Sequence, residues 1–207
     1  MDADAVEIRV LGCMIEKQRT TPDVYPLTLN ALRTACNQST NRDPVVSYDE
    51  QTIRAAVHRL VQRDWARFAS GPGSRAVKYR HLLDETLDVG ERELAVLCVL
   101  MLRGAQTPGE LKARTERMQA FESLGELHET LDELIRRELV ARLPRRAGQK
   151  EERYVQLLGG DDGAPAAERE PGTGDDVEAR LSRLEEEVAS LRQALESLNP
   201  ERGREAG

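Results

Sequence analysis

Four side chains in one short stretch are of the types that touch nucleic acid. Gln51, Arg54, His58 and Gln62 lie within residues 49–63, SYDEQTIRAAVHRLVQRDW in context. At 100° per residue they share one side of a helix with Ala55, while Ile53, Ala56, Val57, Leu60 and Val61 take the other. Side chains of these types reach base edges and phosphates. A helix about 10–12 Å across also fits the major groove, which is about as wide. The bland reading is a helix that solvates its outer face, and Arg and Gln are ordinary there. Helix chemistry alone does not separate the two.

The residues that follow lift the first reading. Strands are expected at 65–69 and 77–82, joined by a Gly/Pro-punctuated tip at 70–76. Arg75 and Lys78 would then stand on a wing, placed for the DNA backbone or minor groove. Asp49 and Glu50 suit the helix N-terminus, where backbone N–H groups are unpaired. Helix, strand, basic-ended loop, strand is the second half of a winged helix. Arg42 sits in the preceding loop at 37–46, NQSTNRDPVV, whose polar groups either brace the loop or contact phosphates. Bracing is the favoured reading of that loop, and Arg42 is kept as a candidate contact.

Elements must position these groups. Residues 4–19 carry Val6, Val10, Cys13 and Met14 at helical spacing, widened by Leu11 and Ile15. Thr20-Thr21-Pro22 ends that helix. Residues 27–37 form a second, with Leu29, Leu32 and Cys36 inward. A polar bridge at 84–90 follows the hairpin, and the pattern then repeats. Helices are expected at 91–103, 109–115 and 122–138, strands at 139–143 and 153–157. Thr21-Pro22 matches Thr107-Pro108, and residues 60–65 match 134–139. The expected fold is mainly α with small β wings, an α+β class of two tandem winged-helix domains at 1–83 and 84–158. The outer face of the helix at 122–138 holds Glu126, Glu129, Asp132, Glu133 and Arg136, which a phosphate-lined groove would repel. Packing or protein contact is the expected role of that half, although Arg145, Arg146 and Lys150 make its wing basic.

Residues 159–174 read as a disordered Gly/Pro/acidic linker. In 175–199, Val177, Leu181, Leu184, Val188, Leu191, Leu195 and Leu198 step by alternating four and three, a heptad seam. A parallel homodimer through this helix is expected, the alternative being a helix packed back on the body. Pro200 ends it, and 200–207 are expected to be disordered.

Charge follows the same division. The chain of 207 residues has a net charge of −7, which at first argues against nucleic acid. Residues 1–83, however, carry 12 Lys/Arg against 9 Asp/Glu; residues 84–158 carry 12 against 15, and 159–207 carry 6 against 13. Phosphates feel local charge, because the Debye length is about 8 Å. Aromatics make up only 3%, so the cores must be aliphatic. Cys13, Cys36 and Cys98 lack metal-ligand or CxxC spacing, so free buried thiols in a reducing compartment are expected. The N-terminus lacks a signal-peptide core and no apolar run is long enough for a membrane span, so a cytoplasmic location is expected.

The run LGCMIEKQRTTPDVYPLTLNALRTACNQSTNRDPVVSYDEQTIRAAVHRLV, followed by GSRAVKYRH, resembles the YceH-like family of bacterial proteins. The resemblance covers about residues 6–158, and NALRTACNQSTNR is its distinctive part. It implies tandem winged helices and supplies no functional residues. Walker, GxSxG, HExxH and Rossmann patterns are absent, and His58, His81 and His128 stand alone in sequence. No enzyme activity, cofactor or metal is therefore expected. The contest is between double-stranded DNA binding, as in a transcriptional regulator, and a tandem winged-helix scaffold for a protein partner.

Overall fold

The computed structural model describes residues 3–69, 76–145 and 151–159. It is a mixed α/β structure with seven α-helices and two small antiparallel sheets among those residues. Helix α1 spans Ala5–Thr20, capped by Asp4, which accepts from the Glu7 backbone while Glu7 accepts from that of Asp4. A 3-10 turn at Pro22–Val24 leads into β1 (Leu27–Thr28) and α2 (Leu29–Cys36). Then come α3 (Glu50–Gln62), β2 (Ala66–Phe68) and β3 (Lys78–His81). The central strand is β3, with Leu27 opposite Tyr79 on one side and Phe68 opposite Tyr79 on the other.

The stretch at 84–90 is not a simple polar bridge. Leu83–Leu87 forms a short helix, α4, because Leu83 and Leu87 both reach the core and anchor a turn between the halves. The second half runs α5 (Glu91–Arg103), α6 (Pro108–Thr115), α7 (Leu124–Arg136), β4 (Val140–Leu143) and β5 (Arg153–Gln156). Its sheet has two strands, with Gln106 making an isolated bridge to Tyr154 where the first half has β1.

The repeat is visible in single hydrogen bonds. After α3, Arg63 N–H donates to Arg59, Asp64 to Val61 and Trp65 to Leu60. After α7, Arg137 donates to Glu133, Glu138 to Ile135 and Leu139 to Leu134. Asp64 and Glu138 occupy the same left-handed position, with φ of 57° and 55°. Leu82 N–H then closes on the Trp65 carbonyl, as Leu157 does on that of Leu139.

The halves share one continuous core within a single compact unit. Its centre is the contact of α1 with α5. Every residue of α1 from Glu7 to Ile15 is buried, more than a one-sided stripe requires, because α5 covers the side turned away from α2 and α3. Gly12 permits this approach: a Cβ there would lie 2.9 Å from Leu102 Cδ2 and 3.1 Å from Met101 Cβ. The Cys98 thiol donates to the Gly12 carbonyl at 3.3 Å. The three cysteines, remote in sequence, are all buried and free, and the thiols of Cys13 and Cys36 are neighbours. Burial fits them to act as small apolar side chains. His81 ends β3 inside the core, its Nε2 2.5 Å from Gln18 Oε1 and its Nδ1 accepting from the Leu83 N–H at 3.3 Å. Among the described residues no helix is long and apolar enough to cross a membrane.

Candidate nucleic-acid interface

Helix α3 is held by its inner face and by its arginines. Ile53, Ala56, Val57 and Leu60 are buried, with Val61 half-buried beside them. Burying Ile53, Val57 and Leu60 stabilises by about 1.5–3 kcal/mol apiece relative to leaving them in water. Arg59 reaches Asp4 at 2.5 Å and Glu7 at 3.5 Å, and Arg63 reaches Glu7 at 3.3 Å. Glu7 is buried, so these pairs tie α3 to the start of α1. Asp49 caps the helix by accepting from the Thr52 N–H at 2.7 Å, a bond that holds its carboxyl below its usual range.

What remains outside is the row read from sequence. Gln51, Arg54, His58 and Gln62 are all exposed. Arg54 pairs with Glu50 at 2.5 Å across one helical turn, both partners in solvent. An exposed i,i+4 pair contributes about 0.3–0.5 kcal/mol, so Arg54 can leave it at little cost. Lys78 is half-buried at the start of β3, facing Thr28 across the sheet. Arg75 lies outside the described residues, as does most of the expected wing tip.

Arg42 is not on this surface. Its side chain is fully buried and forms a bidentate pair with Glu16, Nη1–Oε1 3.0 Å and Nη2–Oε2 2.6 Å. It also donates to the carbonyls of Ala35 and Asn41 and to Gln38 Oε1. Burial pushes the Glu16 carboxyl up, but the Arg42 hydrogen bonds and charge reverse this and hold it below its ordinary range. The planar guanidinium matches two carboxylate oxygens and two carbonyls at once. Arg42 therefore braces the loop between α2 and α3 against α1, and is spent inward. Asn37 adds to the brace by accepting from the Tyr48 N–H and donating to the Tyr48 carbonyl, both at 2.8 Å.

The hairpin carries residues that the sequence reading passed over. Phe68 is 50% exposed, although it is one of only two phenylalanines in the chain. Its ring stands edge-on to His58, centroids 6.3 Å apart, and tilts against Tyr79 at 5.5 Å. It thus joins the outer face of α3 to the sheet. Arg67 beside it is exposed, with no carboxylate in ion-pair distance among the described residues. On α2, Arg33 is exposed and donates to Asn30 at 3.1 Å. The signal for Phe68 and Arg67 was available: a large aromatic and a cation adjoining a hairpin tip in an aromatic-poor chain.

The equivalent face of α7 has the opposite sign. His128, Glu129, Asp132 and Arg136 are exposed there, and Arg136 pairs with Glu133. Between α7 and the start of α5 opens a groove of about 560 Å³ lined by Glu91, Glu93, Glu126, Glu129 and Glu133, with Arg92 paired to Glu126. The heptad residues Val177, Leu181, Leu184, Val188, Leu191, Leu195 and Leu198 lie outside the described residues, as do Arg146, Lys150 and the linker beyond Gly159.

Comparison with known proteins agrees with the sequence resemblance. The family described as "Protein of unknown function, DUF480" matches residues 3–149. A UPF0502 protein of Opitutus terrae is 50% identical over 190 residues, covering 90% of this chain and 82% of the relative. One from Solibacter usitatus is 48% identical over 198 residues, covering 93% and 94%. The UPF0502 protein YceH of Escherichia fergusonii is 45% identical over 203 residues, covering 94% of each.

Proposed function

We propose that this chain, which belongs to the DUF480 family, binds double-stranded DNA through the outer face of α3 and the β2–β3 hairpin. The element order helix, strand, helix, helix, strand, strand is read here as a winged helix, with α3 as the reading helix. The observation that carries the proposal is the exposed row Gln51, Arg54, His58 and Gln62, joined to the β2–β3 hairpin by the ring contact of His58 with Phe68. α3 has its own capped start and its other arginines are engaged with α1. The exposed row is therefore free to move toward a ligand without unfolding anything. Base edges would be met by Arg54 and the two glutamines, phosphates by Lys78, Arg67 and Arg75.

Titration of labelled duplex fragments by fluorescence anisotropy, across a salt series, tests this. Binding through phosphates weakens steeply with salt, with a slope of about −0.9 per phosphate neutralised. Arg54→Ala should alter sequence preference, since a bidentate base contact is worth about 1–3 kcal/mol. Arg75→Ala should weaken binding to all sequences and lower the slope by about 1. Unchanged affinity in both variants refutes the assignment at these residues.

The second reading, a scaffold for a protein partner, draws on the acidic groove between α5 and α7, which suits a basic segment. It gains if pull-downs recover protein and no DNA, and if Glu129→Lys abolishes the recovery. We place the chain in the cytoplasm on either reading, because its three thiols are free and buried. We also propose that it acts as a parallel homodimer through residues 175–199. There Arg180 would face Glu185 of the other copy, and Glu187 would face Arg192.

A further inference from the structure

A second cavity lies away from the α3 face, where the C-terminal end of α5 meets α1 and α6. It encloses about 220 Å³, the volume of roughly seven waters. Three arginines line it: Arg103 from the last turn of α5, Arg114 from α6, and Arg117 just beyond α6. Its apolar wall is Val99, Leu102 and Met118.

One arginine in the last turn of a helix is ordinary, since it faces the negative end of the dipole. Three around one small cavity call for counter-charge, and the chain supplies little. Glu16 lines the cavity, but both its oxygens are held by Arg42. Arg114 has Glu110 at 3.2 Å, a half-buried pair one helical turn apart. Neither Arg103 nor Arg117 has a carboxylate in ion-pair distance among the described residues. Arg103 donates instead to the amide oxygen of Asn41, a neutral acceptor. Its half-burial, with Arg114 and Arg42 close by, makes its charge costly and pushes its pKa down. An anion in the cavity would relieve that cost for Arg103, Arg114 and Arg117 together.

We infer that this cavity binds a small multivalent oxyanion, a compact phosphorylated or polycarboxylate molecule whose apolar part rests on Leu102 and Met118. Guanidinium forks take phosphate and carboxylate oxygens two at a time, which suits both chemistries. The volume admits a pyrophosphate-sized group and is too small for an oligonucleotide. Asn41 belongs to the α2–α3 loop that Arg42 braces, so a bound anion competing for Arg103 would act on the segment leading into α3. The site itself does not depend on what α3 binds.

Isothermal titration of the full chain at low salt, with pyrophosphate and citrate as separate probes, tests the inference. One-site saturation is expected with a Kd below about 1 mM for at least one probe, and the better probe tells phosphate from carboxylate preference. Arg103→Gln and Arg117→Gln should each weaken that binding by roughly 10- to 100-fold, the loss of one charge-assisted hydrogen bond. Arg54→Gln, on the α3 face, should leave it unchanged. Arg117 is exposed, so its variant keeps the test open if Arg103→Gln fails to fold. Absence of saturable binding for both probes up to about 10 mM overturns the site. Equal weakening by Arg54→Gln also overturns it, since binding would then follow overall charge. DNA affinity of the Arg54 variant is read separately, so either conclusion can fail without the other.

Discussion

Replacing Arg42 with alanine should unbalance the fold and leave the DNA binding proposed for α3 intact in the protein that stays folded. Arg42 is fully buried, while the Glu16 side chain keeps 14% of its exposure. Removing one partner of a buried pair costs about 3–5 kcal/mol, because the other charge stays behind unpaired. The residual exposure of Glu16 lets water reach it, which argues for the low end, about 3 kcal/mol. With a urea slope of about 2 kcal/mol/M, the midpoint should fall by about 1.5 M. Adding Glu16→Gln removes the stranded charge and should recover about 1 kcal/mol or more. The pH dependence has a definite sign. Glu16 has a folded pKa below its ordinary value, so its contribution is present above the usual carboxylate range and lost as pH falls through the depressed value. The gap between wild type and Arg42→Ala should therefore narrow below about pH 4. Urea melts at pH 7 and pH 3.5, followed by circular dichroism, measure all of this. A midpoint within about 0.3 M of wild type, together with weakened DNA binding, would refute the reasoning and return Arg42 to the surface.

Three further outcomes are expected. Gly12→Ala gains about 1 kcal/mol of helix propensity but overpacks the α1–α5 contact at a cost of about 1–3 kcal/mol, so thermal melts should show a net loss of roughly 1 kcal/mol. Burial, opposed by Asp84 at 3.4 Å, lowers the His81 pKa to about 4, so its neutral form stabilises the fold above about pH 6.5 and that contribution falls away toward pH 4. The loss can reach on the order of 3 kcal/mol, and a stability profile over pH 4–7 should flatten in His81→Gln, an unflattened profile counting against the assignment. Sedimentation of the full chain should show a dimer that Leu184→Glu with Leu191→Glu converts to monomer, and a wild-type monomer at high concentration would remove the seam as an interface.

The helices other than α4 were legible because their periodicity is strong, and at α3 the capping residue Asp49 was legible too. Asp4, Asp49, Thr107 and Ser123 each stand one residue before a helix and accept from its backbone. The strands were placed within a residue or two, except β1, whose two residues are too short to show alternation. The outer row of α3 was legible for the same reason as the helix, since one period sorts both faces. Arg42 was not, because a sequence shows an arginine in a polar loop and hides the glutamate of another helix that receives it. Phe68 was passed over although its signal was available, a large aromatic beside a hairpin tip that the structure leaves half exposed. Nor could spacing reveal that Cys13 and Cys36 adjoin, or that Arg103, Arg114 and Arg117 surround one cavity. Such groupings arise only when distant segments pack.

The contact at Gly12 has a consequence for how the two halves came to differ. α1 and α5 hold the same place in the repeat, so each half meets the other with the same element, as two identical chains do across a two-fold axis. The polypeptide thus contains an internal pair. Two free copies would need an interface strong enough to survive dilution, and both would carry the same outer helix. Tethered by α4, the halves meet at a fixed effective concentration, and neither has to mirror the other. The amide-rich row around Arg54 on α3 and the carboxylates on α7 could then diverge on a common scaffold, as the arms of one covalent heterodimer.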